Sequence, residues 1–363
     1  MAVYQGPGVH LRHFQIHPFM SAAATISKSW EPDFTQKHNR LIAIILGVLP
    51  ALAPWISSMG LLPQLVILAG FVVLIGLPHG ALDITLLRGA RIGPLGTATA
   101  LIAYTGLAAL VVAGFSHFPT AGLFLFLVVA WIHFGLGDTE NLRGWHRAGE
   151  CFARGGLSIA GPLTFHFEET LDLFTRLGGP ASGVRWAALG HYFTLFASPV
   201  WLGMGLLMVA LRLRAAGSVS GSSASRMTHF LAAWEMIFLA LLFWLWPPLA
   251  AFTIYFCLVH SVRHLIQLAS ARQPLAFRLA IRWLWRESWP ITGLTLILGA
   301  VVVWFWDGSS SPDTLLLRLV FVGLAALTMP HMILTFWWHH CGEQVPGDFC
   351  ARSKTAAAAP PSR

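Results

Sequence analysis

Gln64-Leu-Val-Ile-Leu-Ala-Gly-Phe-Val-Val-Leu-Ile-Gly-Leu-Pro-His-Gly-Ala-Leu-Asp83 carries no charged side chain before its last residue, and His79 is the one polar group between its ends. At about 1.5 Å per residue, such a run forms a helix about 30 Å long, the thickness of a bilayer's hydrocarbon core. An imidazole at that depth is costly unless it pairs, lines a wet cavity or holds a metal. The stretch therefore predicts a membrane span with a reason to contain histidine.

The whole chain has the same character. It is 56% hydrophobic and 10% charged, with a mean hydropathy of +0.67 over 363 residues. That much apolar surface does not fit inside one water-soluble core, so an all-α, polytopic integral membrane bundle is predicted. Apolar runs near 41–59, 64–87, 96–116, 121–138, 151–166, 189–211, 229–246, 248–268, 289–306 and 315–338 give about ten transmembrane helices. The fifth is broken by Gly155, Gly156, Gly161 and Pro162 and holds Arg154, which suits a broken or re-entrant helix. Residues 1–40 read as a polar cytoplasmic lead, 41–338 as one transmembrane catalytic domain, and 339–363 as a cytoplasmic tail. The lead has no cleavable signal pattern, so insertion falls to the first span.

The net charge of +8 comes from short basic groups between apolar runs. They fall in the lead and in alternate loops, holding Arg88 and Arg91; Arg143 and Arg147; Arg212, Arg214 and Arg226; Arg272, Arg278, Arg282 and Arg286; then Arg352 and Lys354. The intervening turns are neutral or acidic, with Glu168, Glu169, Asp172, Asp307 and Asp313. This positive-inside pattern predicts a multi-pass protein of the inner membrane with both termini cytoplasmic, and it argues against nucleic-acid binding. Cys151, Cys257, Cys341 and Cys350 show neither disulfide-framework nor zinc spacing. His339 and His340 beside Cys341 and Cys350 match no standard metal pattern and read as tail; 217–225 reads as a Gly/Ser linker.

Predicted spans also hold His133 in Trp131-Ile-His-Phe-Gly-Leu-Gly-Asp138, and His260 with His264 in His-Ser-Val-Arg-His. Spans two, four and eight share a direction in this topology, so the histidines share a depth. His260 and His264, four apart, share a helical face, and one histidine from each of two other helices would complete a four-nitrogen shell. Alone, His79 and His133 read equally as packing groups or ligands; the His260/His264 pair favours a shared cation. Asp83 and Asp138 fit three roles, as ligands, as acceptors that orient ligating imidazoles, or as charges at helix ends, and the second is the commonest for such carboxylates. Span ten brings His331, in Thr-Met-Pro-His-Met, to a similar depth as an additional candidate.

Four stretches together carry a resemblance: Gly76 to Asp83, Ile132 to Asp138, Tyr255 to His264, and Gly323-Leu-Ala-Ala-Leu-Thr-Met-Pro-His331-Met-Ile-Leu. In this order they resemble the bacterial and archaeal Brp/Blh family of membrane-bound β-carotene 15,15'-dioxygenases, over roughly Gly70 to Thr335. The resemblance implies an Fe(II) enzyme that uses O2 to cleave the central double bond of β-carotene, or a related carotenoid, into two all-trans retinals. By motif the iron ligands would be His79, His133, His260 and His264, and His331 receives no role. Imidazoles without thiolates suit Fe(II) and leave room for dioxygen. The hydrocarbon substrate would reach the site from membrane lipid, and retinal as product points to a retinal-binding rhodopsin as functional partner.

Two other classes fit part of the pattern. A membrane di-iron desaturase or hydroxylase would need about eight clustered histidines, where four or five share a depth here. A non-enzymatic metal transporter or retinal-handling accessory protein would place polar groups through both leaflets. With the histidines towards the cytoplasmic side, the polyene is expected to lie tilted or nearly parallel to the membrane, in a tunnel walled by Leu77, Phe134, Phe256 and Met332.

Overall fold

The computed structural model describes residues 37–89, 93–139, 142, 144–218, 223–272, 277–304 and 311–341. Most of the lead, parts of the predicted basic loops and linker, the side chains of His339, His340 and Cys341, and Cys350 lie outside the described residues.

Among the described residues the chain is helical, with no strand. We number the helices α1 Lys37–Ser57, α2 Leu61–Thr85, α3 Gly93–His117, α4 Pro119–Gly137, α5 Gly144–Gly155, α6 Ala160–Phe165, α7 Phe167–Gly178, α8 Pro180–Ala216, α9 Ser223–Leu245, α10 Pro248–Ala269, α11 Phe277–Trp304 and α12 Pro312–Cys341. Proline opens α4, α8, α10 and α12, at the position where a missing N–H costs nothing. Only Phe118 separates α3 from α4, and Trp246 and Pro247 separate α9 from α10, so these pairs turn back on themselves.

Eight described helices are long and apolar enough to cross a membrane, two fewer than the sequence reading of about ten. The ninth run, 289–306, extends past Trp304, the last described residue of α11, so only part of it lies among the described residues. The fifth is divided into α5, a 3-10 turn at Gly156–Ser158 and α6. It packs antiparallel to α4 at backbone distance: a Cβ added at Gly135 would lie 2.3 Å from the Cys151 carbonyl oxygen, and one at Gly155 would lie 2.1 Å from that of Trp131. Glycine is required where two backbones approach this closely.

Four long helices run in one direction. Phe126 of α4, Leu249 of α10 and Leu317 of α12 surround a common apolar cavity. Further along the same helices, His133, His260 and His331 meet. In α2, Gly76 lies against Phe256 and His79 against His260, so α2 runs with α10. The core is one continuous cluster including Leu65, Leu68, Leu123, Phe243, Tyr255 and Leu317, while Ile44, Ile102, Leu206 and Trp304 project outward as lipid-facing bulk.

Candidate metal centre

Every helix that contributes to the histidine cluster is irregular there, or ends there. A π turn at Val72–Gly76 precedes His79, and another at Ile254–Ser261 contains His260. Pro78 immediately precedes His79, and Pro330 immediately precedes His331. His133 lies four residues from the end of α4. π turns and prolines reset side-chain direction within a helix and recur at functional sites.

These irregular turns bring all five histidines together. The His79 ring centroid lies 4.3 Å from His264, 5.1 Å from His331, 5.6 Å from His260 and 6.2 Å from His133. The rings of His133 and His331 are 5.2 Å apart, and those of His264 and His331 are 5.7 Å apart. Ligand nitrogens of His79, His133 and His331 lie within 4.8 Å of one another. His133 Nε2 and His260 Nε2 are 3.3 Å apart. Two imidazole nitrogens about 2.1 Å from one ion stand about 3 Å apart, so this pair is at metal-sharing separation.

The outer nitrogens fix which atoms face inward. His331 Nδ1 donates to Asp83 Oδ1 at 2.7 Å, and His260 Nδ1 to Asp138 Oδ1 at 3.3 Å. His133 Nδ1 lies 2.9 Å from Met332 Sδ, which can only accept. Each of these three rings thus keeps its proton on Nδ1 and turns an Nε2 lone pair to the cluster. His331 Nε2 and His79 Nδ1 are buried without a hydrogen-bond partner. Four buried imidazoles beside the half-buried His264, with His79 Nδ1 and His331 Nε2 unpartnered, suit a divalent transition metal.

Asp83 and Asp138 each orient a histidine from a different helix than the neighbouring one in sequence: Asp83 serves His331 rather than His79, and Asp138 serves His260 rather than His133. Each carboxylate is held by a tyrosine, Tyr104 to Asp83 at 3.0 Å and Tyr255 to Asp138 at 2.9 Å.

Asp138 belongs to a buried chain of charges. Arg263 donates to Asp138 at 3.0 Å and to Glu235 at 2.7 Å. Arg154 pairs with Glu235 at 2.6 Å and with Glu150 at 3.0 Å, and Arg212 also pairs with Glu150. Three guanidinium groups balance three carboxylates, which is the condition for burying any of them. Sequence reading missed Tyr104, Tyr255, Glu235 and Arg263. The available signal was charge inside apolar runs: Glu235 within α9, and Arg263 between the two paired histidines.

The model of a family described as "Beta-carotene 15,15'-dioxygenase" matches residues 71–339. The chain is 29% identical over 268 residues to a protein named beta-carotene 15,15'-dioxygenase from an uncultured marine bacterium, 66A03, covering 72% of this chain and 90% of that one. It is 28% identical over 335 residues to a protein from Halobacterium salinarum named probable beta-carotene 15,15'-dioxygenase Blh, covering 82% of this chain and 90% of the relative. No solved structure matches. The family match starts within α2 and ends within α12, and so takes in all five clustered histidines: the chain belongs to the β-carotene 15,15'-dioxygenase family.

Proposed function

We propose that this protein cleaves the central 15,15' double bond of β-carotene with O2 to give two retinals, at an iron ion held by His79, His133, His260 and His264, with His331 as a fifth imidazole of the same centre. The observation that carries this reading is the convergence of five imidazoles, three with Nδ1 tied outward. Iron at this centre would supply the one-electron chemistry that lets triplet dioxygen react with an alkene.

The chain's own residues perform the rest. Asp83 and Asp138 hold His331 and His260 in one tautomer and orientation. Tyr104, Tyr255 and Arg263 hold the carboxylates. Phe134, Phe252 and Phe256 form an aromatic wall beside His260 and exclude water from the reacting bond. The five clustered histidines among the described residues fall short of the roughly eight that a di-iron centre of the desaturase kind needs, and a single cluster supports one centre rather than a path across the membrane.

The multi-pass chain would sit in the inner membrane with cytoplasmic termini, take its carotenoid from membrane lipid and release retinal for a rhodopsin-type acceptor. Expression in β-carotene-producing cells tests the reading. Colour loss with retinal formation is expected, and neither should occur in the His79→Ala or His264→Ala variants. Unchanged retinal production by those variants would refute the ligand set, and absence of any cleavage by the wild type would refute the activity.

A further inference from the structure

An apolar cavity lies between α4, α7, α10 and α12, beside the histidine cluster and towards the starts of α4, α10 and α12. Phe134 lines it, follows His133 in the chain, and meets His260 with ring centroids 4.8 Å apart. Phe252, also on the wall, stacks on Phe256 at 5.4 Å, and Phe256 in turn stacks on His260 at 6.4 Å. Aromatic side chains therefore stand between the cavity and the metal centre and touch both.

The cavity lining reaches half a carotenoid's length from the histidines. Phe321 and Leu317 precede His331 by ten and fourteen residues, which places them about 15 and 21 Å from it along a helix. A forty-carbon carotenoid is about as long as the hydrocarbon core, about 30 Å, so its central bond is about 15 Å from either end. Leu317 is fully buried and is the lining residue of α12 farthest from His331 along the helix, and Leu173 of α7 is buried on the same wall.

We propose that this cavity seats one half of the carotenoid, end ring included, and that its wall at Leu317 and Leu173 sets the register that brings the central bond to the histidines. The proposal rests on the dioxygenase reading for the identity of the occupant. It also alters the expected substrate path: the arm in the cavity stands along the helices instead of lying in the membrane plane. The free volume, about 60 Å³, is far less than this half of the molecule occupies, so lining side chains such as Phe174, Phe252 and Phe321 must turn aside on binding.

Full-length protein in lipid nanodiscs separates the seat from the chemistry. Stripped of metal and loaded with β-carotene, the wild type should retain the polyene, read by its absorbance above protein-free nanodiscs. Leu317→Phe and Leu173→Phe, which enlarge side chains on the cavity wall, should lower retention about tenfold, equivalent to about 1.4 kcal/mol. Leu317→Ala, which lengthens the cavity, should keep both carotene and iron. Once iron-loaded, it should release unequal apocarotenoid fragments, because the ring seats deeper. Wild-type retention by Leu317→Phe, or retinal as the sole product of Leu317→Ala at the wild-type rate, would overturn the proposal. If iron-loaded wild type never cleaved its bound carotene while Leu317→Phe still lost it, the dioxygenase reading would fall and the seat would stand.

Discussion

Replacing Asp138 with asparagine should damage the metal centre more than the same change at Asp83, although the two carboxylates look equivalent in sequence. Asp83 accepts from His331 at 2.7 Å and from Tyr104 at 3.0 Å, with no Lys or Arg ion pair among the described residues. An asparagine there can accept the imidazole proton on Oδ1 and donate its NH2 to the Tyr104 oxygen, whose own proton then turns to the Leu327 carbonyl, 3.4 Å away. Both contacts survive in neutral form, so the loss should be the usual one for a group behind a ligand, about 10- to 100-fold in metal affinity.

Asp138 is different. It accepts from His260, Tyr255 and Arg263 together, and its side chain is 1% exposed. An asparagine Oδ1 there can still accept from His260 and Arg263 while its NH2 turns to the Tyr255 oxygen, but Arg263 then exchanges one of its two carboxylates for a neutral amide. A hydrogen bond to a charged group contributes about 1.5–3 kcal/mol. Losing one adds roughly a further tenfold to hundredfold, at about 1.4 kcal/mol per decade. Iron affinity measured by chelator competition, with the thermal midpoint of the same detergent-purified samples, gives the comparison. Asp138→Asn should bind iron at least about tenfold more weakly than Asp83→Asn and should also melt lower. Equal losses, or a larger loss at Asp83, would refute this account of the site.

Other outcomes follow from the same geometry. Arg154→Leu removes the cation shared by Glu150 and Glu235 and should cost about 3–5 kcal/mol in unfolding free energy, read by denaturant or thermal titration. Gly155→Ala places a methyl within 2.1 Å of the Trp131 carbonyl oxygen and should force α5 from α4, with a loss above about 1–3 kcal/mol, whereas Gly203→Ala, with open space around it, should be nearly neutral. His331→Ala should lower iron occupancy and shift the visible spectrum of the cobalt-substituted protein; an unchanged spectrum would remove His331 from the centre. Labelling of cysteines placed at 273–276 should come from the cytoplasmic side, and labelling from the opposite side would invert the topology read from the arginines.

The membrane class and most of the spans were legible because long apolar runs leave little freedom: a chain in hydrocarbon must satisfy its backbone internally, and helices do so. The common direction of the histidine-bearing helices followed from counting spans and loop charges. The motifs also singled out four histidines, because an imidazole in an apolar run is conspicuous.

What the sequence left open is how those helices turn about their own axes and which contacts they make. The pairing of Asp83 with His331, across 248 positions, and of Asp138 with His260, across 122, depends on helix packing and on the π turns before His79 and around His260. His331 was an additional candidate in the sequence, and packing sets it, with an unpartnered Nε2, beside His79, His133 and His264. Spacing along one helix predicts only which side chains share its face. Which face meets which neighbour is settled by the close approach of whole helices, and the tertiary structure alone decides it.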